Sequence, residues 1–314
     1  MSRVRLIWQI DPHDPLIWER DWLTLLLEAY DIEHVVDLKH EVVADRAIVV
    51  TPGGRDAAGY LRRFRGAGHA VGVIHTGDEY FRSPVSFYPD AAFVYRNHDR
   101  PETLRFPHCR FFALGYRSGF TRDLNVRDID AREYLWAFAG QVKTSRAGML
   151  RAAERIPGGH AHVSQGFGQG LEITAYADLL ANAVFALCPR GNFAVDCFRV
   201  WEAFEAGAIP VVEEEGRTPL WRDLKRPPKF LRLHAWRPAY WSGNLPLAFR
   251  GSYWLAAYGE GFPCVRLRNW RNLGEALERV DVEATSRAAR AWWTEYKRSL
   301  ARRLGEDVER HLLS

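Results

Sequence analysis

The sequence predicts an α/β protein of two doubly wound domains, each with a parallel sheet that helices cover on both faces. Three observations favour this fold class. Short β-branched runs alternate with helical stretches over residues 1–115, a polar and turn-rich stretch follows at residues 115–130, and the alternation then restarts. Strands that are buried on both faces of a parallel sheet appear in a sequence as such short apolar runs.

The alternation places strands and helices in both halves of the chain. In the first half, strands are predicted at Val4–Ile10, Glu33–Leu38, Ala47–Thr51, Ala70–His75, Ala91–Tyr95 and Arg110–Leu114, with helices at Trp18–Tyr30 and Arg55–Arg65. In the second half, strands are predicted at Tyr134–Ala139, Ala161–Ser164, Val184–Cys188 and Ala208–Val212, with helices at Thr144–Arg155, Ala175–Asn182 and Asp196–Ala206. The predicted domains are residues 1–127 and residues 128–282.

Residues 283–314 are predicted to form one long helix. Apolar residues recur every four positions from Ala284 to Leu312, a pattern that gives a stripe winding slowly around a helix. We expect this helix to pack back towards the N-terminal domain.

Composition and charge exclude several classes of protein. A hydrophobic fraction of 47% over 314 residues indicates a globular protein with room for two cores, and a formal net charge of +4 is too small to indicate nucleic-acid binding. The four cysteines have no metal-binding spacing, and the chain shows neither a signal peptide nor an apolar run of membrane-spanning length. These features predict a soluble, cytoplasmic protein with free thiols.

The segment FALCPRGNFAVDCFRVWEAFEAGAIPVVEEE, residues 185–215, carries the strongest indication of a binding site. A buried strand is predicted to end at Cys188, and a helix to begin with Asp196 as its N-cap. The loop between them, with Gly191 and Asn192, should present free N–H groups at the positive end of the helix. Arg190 can add a bidentate contact to phosphate oxygens. The segment therefore predicts a diphosphate site.

The helix that follows this loop has a polar stripe. Asp196, Arg199 and Glu202 are three positions apart and share one face, which we expect to point outwards to the ligand. Cys197, Val200 and Phe204 form the other stripe and should face the sheet. A carboxylate on the polar stripe can accept hydrogen bonds from both hydroxyls of a ribose.

Three blocks of the sequence resemble a known family. The pattern CPRG followed by FR-x-x-EA-x-x-AG-x-IPV is similar to the signature of exostosin-like glycosyltransferases of the GT-B fold. The tracts HTGDEYF and FAGQVKTSR resemble the bacterial members and the related ribitol xylosyltransferases. The blocks lie in the expected order between about residues 70 and 215. The resemblance implies two domains that face each other across a cleft, a uridine-diphosphate (UDP) sugar in the second domain, an acceptor in the first, and transfer with inversion.

The block FAGQVKTSR predicts a second strand, loop and helix N-terminus. A strand is predicted to end at Gly140, and Lys143 and Arg146 then enter the next helix. With Arg190 they give three positive groups for a diphosphate that leaves during the reaction. Because the GT-B fold usually lacks a metal, the resemblance implies that neither a metal nor another cofactor is required.

The block HTGDEYF supplies candidates for a general base. The strand that ends at His75 is followed by Asp78 and Glu79, and an inverting transferase needs one such group to accept the proton of the acceptor hydroxyl. Asp78 is the first candidate, with Glu79 and His75 behind it. The alternative is structural: Asp78 caps the next turn and Glu79 pairs with an arginine.

Four further patterns have weaker functional meaning. Asp128 and Asp130 form a D-x-D pattern in the linker, and His160 and His162 share a strand face without a third metal ligand. Glu213–Glu215 is expected to be a solvated strand edge, although it lies on the ligand side. The loop at residues 166–170, GFGQG, lacks the GxGxxG spacing and is expected to be a mobile loop beside the donor.

These observations predict a glycosyltransferase, hexosyl or pentosyl, that moves a sugar from a UDP-sugar to a hydroxyl of a glycan or glycoconjugate, as in polysaccharide biosynthesis. Two alternatives remain. A sugar-nucleotide epimerase of the same architecture would need no acceptor. A non-catalytic partner that binds nucleotide or glycan would keep the phosphate site but lack a usable base, and the grouping of His75, Asp78 and Glu79 argues against it.

Overall fold

Two separate sheets organise the chain. The structure, a computed structural model, describes residues 1–10, 19–53, 56–79, 83–98, 103, 105–142, 144–166, 169–191, 194–214 and 252–314, with isolated residues between 224 and 241. Of these, Met1–Ala113 and Lys297–Ser314 belong to unit 1, and Leu114–Gly216 and Ser252–Tyr296 to unit 2.

The sheet of unit 1 has six parallel strands in the order β2-β1-β3-β4-β5-β6. The strands are β1 (Arg3–Trp8), β2 (Asp31–Val36), β3 (Ala47–Thr51), β4 (Val71–His75), β5 (Phe93–Arg96) and β6 (Cys109–Phe111). Helix α1 spans Arg20–Leu26 and α2 spans Ala57–Gly66. Every residue of β3, β4 and β5 is buried, as expected for strands with helices on both faces.

The centre of this sheet is closely packed. A Cβ at Gly72 in β4 would lie only 2.2 Å from the ring of Phe93 in β5, so this position has room for glycine alone. One face of the sheet is covered by α2, which buries Tyr60, Leu61 and Phe64 against it.

The sheet of unit 2 has five parallel strands in the order β11-β10-β9-β7-β8. The strands are β7 (Tyr134–Gln141), β8 (Gly159–Ser164), β9 (Ala183–Cys188), β10 (Ile209–Glu213) and β11 (Val265–Leu267). The helices are α3 (Thr144–Ala153), α4 (Ile173–Ala181), α5 (Phe198–Glu205), α6 (Tyr253–Tyr258), α7 (Leu273–Glu278) and α8 (Val282–Val308).

Aromatic residues form a large part of the core of unit 2. Trp201 of α5 stacks on Trp293 of α8, with ring centroids 5.5 Å apart, and contacts Tyr258 of α6 at 4.9 Å. Phe262 packs between the same elements, 5.0 Å from Trp292. Many of the tryptophans are therefore core residues.

The end of the long helix α8 belongs to unit 1. Asp307 accepts hydrogen bonds from Tyr95 Oη at 2.8 Å and from Arg110 Nε at 3.0 Å. Tyr30 Oη donates to the carbonyl oxygen of Gly305 at 3.2 Å. These contacts hold the last turn of α8 against unit 1. The predicted domain boundaries remain predictions.

The fold class predicted from the sequence is confirmed by the two parallel sheets. Strand β3 has the predicted bounds, and most other predicted elements differ by two or three residues at their ends. Strand β11 and helices α6 and α7 were not predicted, because a three-residue strand and six-residue helices are too short to show a period. Within the described residues, no helix has the length and apolar character needed to cross a membrane.

Candidate functional site

Two neighbouring strands of unit 2 end beside each other and are followed by the predicted phosphate loops. Strands β7 and β9 pair in parallel, so their carboxyl ends share one edge of the sheet. The loop after β7 leads into α3, and the loop after β9 leads towards α5. In the second loop, the N–H of Gly191 donates to the carbonyl of Ala194 at 2.9 Å.

Arg146 connects these two loops. It lies in the first turn of α3 with 7% of its surface exposed. Its Nη1 donates to the carbonyl of Gln141 at 2.8 Å and its Nη2 to the carbonyl of Arg190 at 2.9 Å. The guanidinium therefore holds the end of β7 against the loop after β9. The predicted contact of Arg146 with a diphosphate stays a prediction.

Arg190 is paired with a carboxylate that the sequence analysis had placed in solvent. Its Nε donates to Oε2 of Glu213, the last residue of β10, and both side chains are mostly buried. Oε1 of Glu213 accepts from the indole of Trp270 at 2.9 Å. The expectation of a solvated edge is therefore wrong for Glu213, because an arginine and a tryptophan fix its carboxylate. Glu214 pairs with the exposed Arg268, and Glu215 lies outside the described residues.

Arg199 turns back onto the end of β7. Its Nε donates to the carbonyl of Ala139 at 3.2 Å, and its guanidinium lies 5.9 Å from the centre of the Phe138 ring. Gly140 has φ +146°, and a Cβ there would lie 2.8 Å from Nη2 of Arg199. Glycine at this position thus leaves the space that the guanidinium occupies. Arg146, Arg190 and Arg199 all border the same sheet edge.

Asp196 does not point outwards, and the predicted orientation is wrong for this residue. It is 1% exposed. Oδ1 accepts from the indole of Trp201 at 2.8 Å, and Oδ2 accepts from Tyr253 Oη and Tyr258 Oη, each at 2.9 Å. These donors allow the carboxylate to be buried in the aromatic core. Asp196 is not the N-cap either, since Cys197 occupies that position and α5 begins at Phe198.

Glu202 is also buried, at 2% exposure, so its predicted outward orientation is wrong as well. Oε2 accepts from Tyr176 Oη at 3.0 Å, and Oε1 accepts from the backbone N–H of Arg117 at 3.3 Å. Burial raises the pKa of Glu202 above its ordinary value, against the opposing effect of Arg117 and Tyr176. The opposite stripe of α5 is buried as predicted.

Two predicted donor-site residues, Lys143 and Asn192, lie outside the described residues. Of the loop at residues 166–170, Phe167 and Gly168 also lie outside them.

In unit 1, the base candidates are brought together at the end of β4, within a buried network. Nδ1 of His75 lies 2.7 Å from Tyr88 Oη, and Nε2 lies 3.2 Å from the carbonyl of Pro52. Asp78 pairs through Oδ2 with Nη2 of Arg96 at 3.3 Å, and its Oδ1 accepts from the N–H of Ser83 at 3.1 Å. The structural alternative for Asp78 is therefore present, because the carboxylate holds the loop that follows β4.

Glu79 and Arg96 differ from the other residues of this block in exposure and in whether they were predicted. Glu79 is half-buried, whereas His75 and Asp78 are buried. Arg96, which ends the apolar strand β5 next to β4 and is 1% exposed, was not among the predicted site residues. The sequence pattern that could have identified Arg96 is an arginine at the end of an apolar strand.

The D-x-D pattern and the histidine pair form no metal-binding cluster in the described part of the chain. Asp128 and Asp130 are exposed at a single turn. His160 is exposed, and its ring packs at a tilt against Tyr134 with ring centroids 5.2 Å apart. Across the described part of the chain, no group of three or more His, Cys, Asp or Glu side chains forms a potential metal site.

Comparisons with known proteins agree with this architecture. Residues 168–232 match the family of the RXYLT1 C-terminal domain, which confirms the predicted resemblance to ribitol xylosyltransferases for that segment. The fold is similar to the crystal structure of HepE from Anabaena in complex with UDP, with a TM-score of 0.50 at 10% identity. That match covers 98% of this chain and 100% of the HepE chain. With the two parallel sheets, it confirms the GT-B fold class.

Two other solved structures match less closely. An α1,3-fucosyltransferase has a TM-score of 0.45 at 10% identity over 94% of this chain and 81% of its own. An α-glucosyltransferase, solved with UDP and a 13-mer DNA that contains a central A:G mismatch, has a TM-score of 0.43 at 9% identity over 99% of this chain and 96% of its own. No characterised protein matches the chain by sequence.

Proposed function

We propose that this chain, in which residues 168–232 match the RXYLT1 C-terminal domain, is a glycosyltransferase that moves a sugar from a UDP-sugar to a hydroxyl group of a glycan or glycoconjugate. The transfer would proceed with inversion and without a metal. The family match and the GT-B fold support a glycosyltransferase, and the geometry of unit 2 supports an anionic, nucleotide-linked donor.

The observation that carries the proposal is the set of three arginines at the edge formed by β7 and β9. Arg146, Arg190 and Arg199 are held by carbonyl groups or by Glu213, so their positions are fixed before a ligand binds. A diphosphate that leaves gains negative charge in the transition state, and preorganised guanidinium groups stabilise such charge. This arrangement supplies positive charge where a metal would otherwise be needed.

Glu202 remains the proposed ligand of the ribose. Its carboxylate oxygens accept from Tyr176 and Arg117, and a carboxylate has about four acceptor sites in all. Two sites are thus left for ribose hydroxyls. Asp196 takes no part in the proposed donor site, since three neutral donors occupy its carboxylate. The UDP bound to HepE favours uridine as the base of the donor.

For the general base, we propose Glu79 ahead of Asp78 and His75. The Asp78 and His75 side chains are both buried, at 6% and 1% exposure. A proton acceptor must reach the acceptor hydroxyl with a lone pair. Of the three residues, Glu79 is the one with a partly exposed side chain.

The proposal is tested by incubating the purified protein with a panel of nucleotide sugars and following the release of nucleoside diphosphate. We expect UDP-sugars to be hydrolysed slowly without an acceptor, and UDP release to rise when a suitable glycan is added. Release of UDP that no acceptor increases, with conversion of the donor into an epimer, would favour the epimerase. Binding of UDP-sugar without any turnover would favour the non-catalytic partner.

A further inference from the structure

Two consecutive residues after β5 carry buried polar atoms without hydrogen-bond partners in the described structure. Asn97 is 1% exposed, and neither its Nδ2 nor its Oδ1 is bonded. His98 is 4% exposed, and its Nδ1 is not bonded. A buried polar atom without a partner destabilises the folded state, so native proteins keep few of them. Three such atoms in two neighbouring residues indicate a partner that is not part of the chain.

These atoms lie at the edge of the sheet where ligands bind in this class of fold. Asn97 and His98 directly follow β5, and Gln9, whose Nε2 is also unbonded, directly follows β1. In the described part of unit 1, the four buried side-chain atoms without partners thus all follow the carboxyl ends of strands. In open parallel sheets, ligands bind outside these carboxyl ends.

The backbone of Asn97 is held by hydrogen bonds, whereas its side-chain amide has none. Its N–H donates to the carbonyl of His75 at 3.2 Å, and its carbonyl accepts from Nε of Arg96 at 3.1 Å. Asn97 therefore lies beside the block that contains the proposed base. His98 has φ +57°, a left-handed conformation that asparagine and histidine tolerate better than most residues.

The charges around these atoms favour a neutral ligand. The Arg96 guanidinium is already paired with Asp78. Burial, and next the charge of Arg96, lower the pKa of His98 to about 3, so the imidazole is uncharged at neutral pH. An amide and a neutral imidazole offer donors and acceptors without net charge. Hydroxyl groups, which both donate and accept, match this combination.

We propose that Asn97 and His98 bind hydroxyl groups of the acceptor, and that the acceptor presents a neutral sugar or polyol to unit 1. This inference rests on the proposed function, because it takes unit 1 to hold the acceptor. It adds two binding residues to the block of His75, Asp78 and Glu79.

The test uses Asn97→Leu, which keeps the approximate volume and removes both polar atoms. Because the free protein loses no hydrogen bond, its melting temperature should equal or exceed that of the wild type. Binding of xylose, glucose and sorbitol, each used separately as a probe and followed by saturation-transfer NMR on the full chain with UDP present, should weaken about tenfold or more. His98→Asn keeps a residue that tolerates the backbone conformation and should weaken the same probes, with unchanged affinity for UDP.

Three results would overturn the inference. A clear drop in the melting temperature of Asn97→Leu with unchanged probe binding would mean that the amide is satisfied by a buried water. Wild-type protein that binds UDP but none of the probes would contradict the inference and leave the proposed function standing. Probe binding that both variants retain would also contradict it. Absence of UDP binding would instead contradict the proposed function. The probe measurements require no turnover, so they test the contacts of Asn97 and His98 separately.

Discussion

At the scale of single residues, the ion pair of Asp78 and Arg96 separates a structural role from a catalytic one. Both side chains are buried, so Asp78→Asn leaves the guanidinium without its charge partner and should lower the free energy of unfolding by about 3–5 kcal/mol. The exposed pair of Asp31 and Arg3 provides the control, because Asp31→Asn should change stability by less than about 0.5 kcal/mol. Urea unfolding measures both. Wild-type stability of Asp78→Asn would contradict the structural role.

The companion variant, Glu79→Gln, should keep its stability and lose transfer activity. The Glu79 side chain is only half-buried, so the free energy of unfolding of the variant should stay near that of the wild type. Its transfer rate should fall by about 10²–10⁴-fold, the usual effect of removing a general base, with unchanged donor affinity. The rate is measured as kcat with saturating donor. If Glu79→Gln keeps most of its rate, Glu79 is not the base.

The buried Glu202 gives a prediction for pH. Burial raises its pKa in the folded state above the ordinary value of 4.5, so its stabilising contribution is complete below that value and is lost as pH rises through the raised pKa. Glu202→Gln cannot lose a proton. The free energy of unfolding of Glu202→Gln should therefore rise relative to that of the wild type as the pH rises above the ordinary pKa of 4.5. Glu275→Gln, in an exposed pair, should show no such trend.

The same variant tests the proposed ribose contact. Glu202→Gln should raise the KM for the donor more than it lowers kcat, because ribose contacts change little between ground state and transition state. A stability difference that stays flat with pH would contradict the assigned pKa shift. An unchanged KM would contradict the ribose contact alone.

At the scale of elements, the turn between β7 and α3 depends on Gly140. Alanine there would place a Cβ 2.8 Å from Nη2 of Arg199, at a φ of +146° that side chains rarely adopt. Gly140→Ala should displace Arg199 and weaken UDP binding about tenfold or more. Calorimetric titration with UDP measures this. Unchanged UDP affinity would mean that Arg199 does not contribute to the site.

A glycine within α3 serves as the control for that variant. At Gly148 the nearest atom to a new Cβ would be 4.0 Å away, and the backbone is helical. Gly148→Ala should therefore raise the free energy of unfolding by about 0.5–1 kcal/mol and leave UDP affinity unchanged.

The elements also show what local sequence patterns can and cannot predict. The strands β3, β4 and β9 follow from apolar runs that are bounded by Gly, Pro or polar residues, and they were predictable. The orientation of Asp196 was not, because its burial depends on Tyr253 and Tyr258, which lie about sixty positions further along the chain. The helical spacing was correct for Arg199 and Glu202, which lie in α5, but spacing does not show which face a distant element covers.

The same reasoning applies to the candidate site. The two loops of unit 2 were predictable, because parallel strands bring their carboxyl ends to one edge. The partner of Arg190 was not, since Glu213 ends a different strand and is itself held by Trp270. In unit 1 the block at residues 75–79 was identified, but its pairing with Arg96 depends on the strand order of the sheet.

At the scale of the whole molecule, the central claim is that unit 2 binds a UDP-linked donor through its arginines and without a metal. The most direct measurement is calorimetric titration of the full chain with UDP in the presence of EDTA, for wild type, Arg190→Ala and Arg279→Ala. Arg279, the residue that follows α7, lies in an exposed ion pair with Glu275 and is the matched control.

We expect wild type and Arg279→Ala to bind UDP equally well in EDTA. Arg190→Ala should lose about 2–4 kcal/mol of binding free energy, the usual effect of deleting a charge-stabilising group at an anion site. Wild-type affinity in Arg190→Ala, or UDP binding that is absent in EDTA and restored by manganese, would contradict the account.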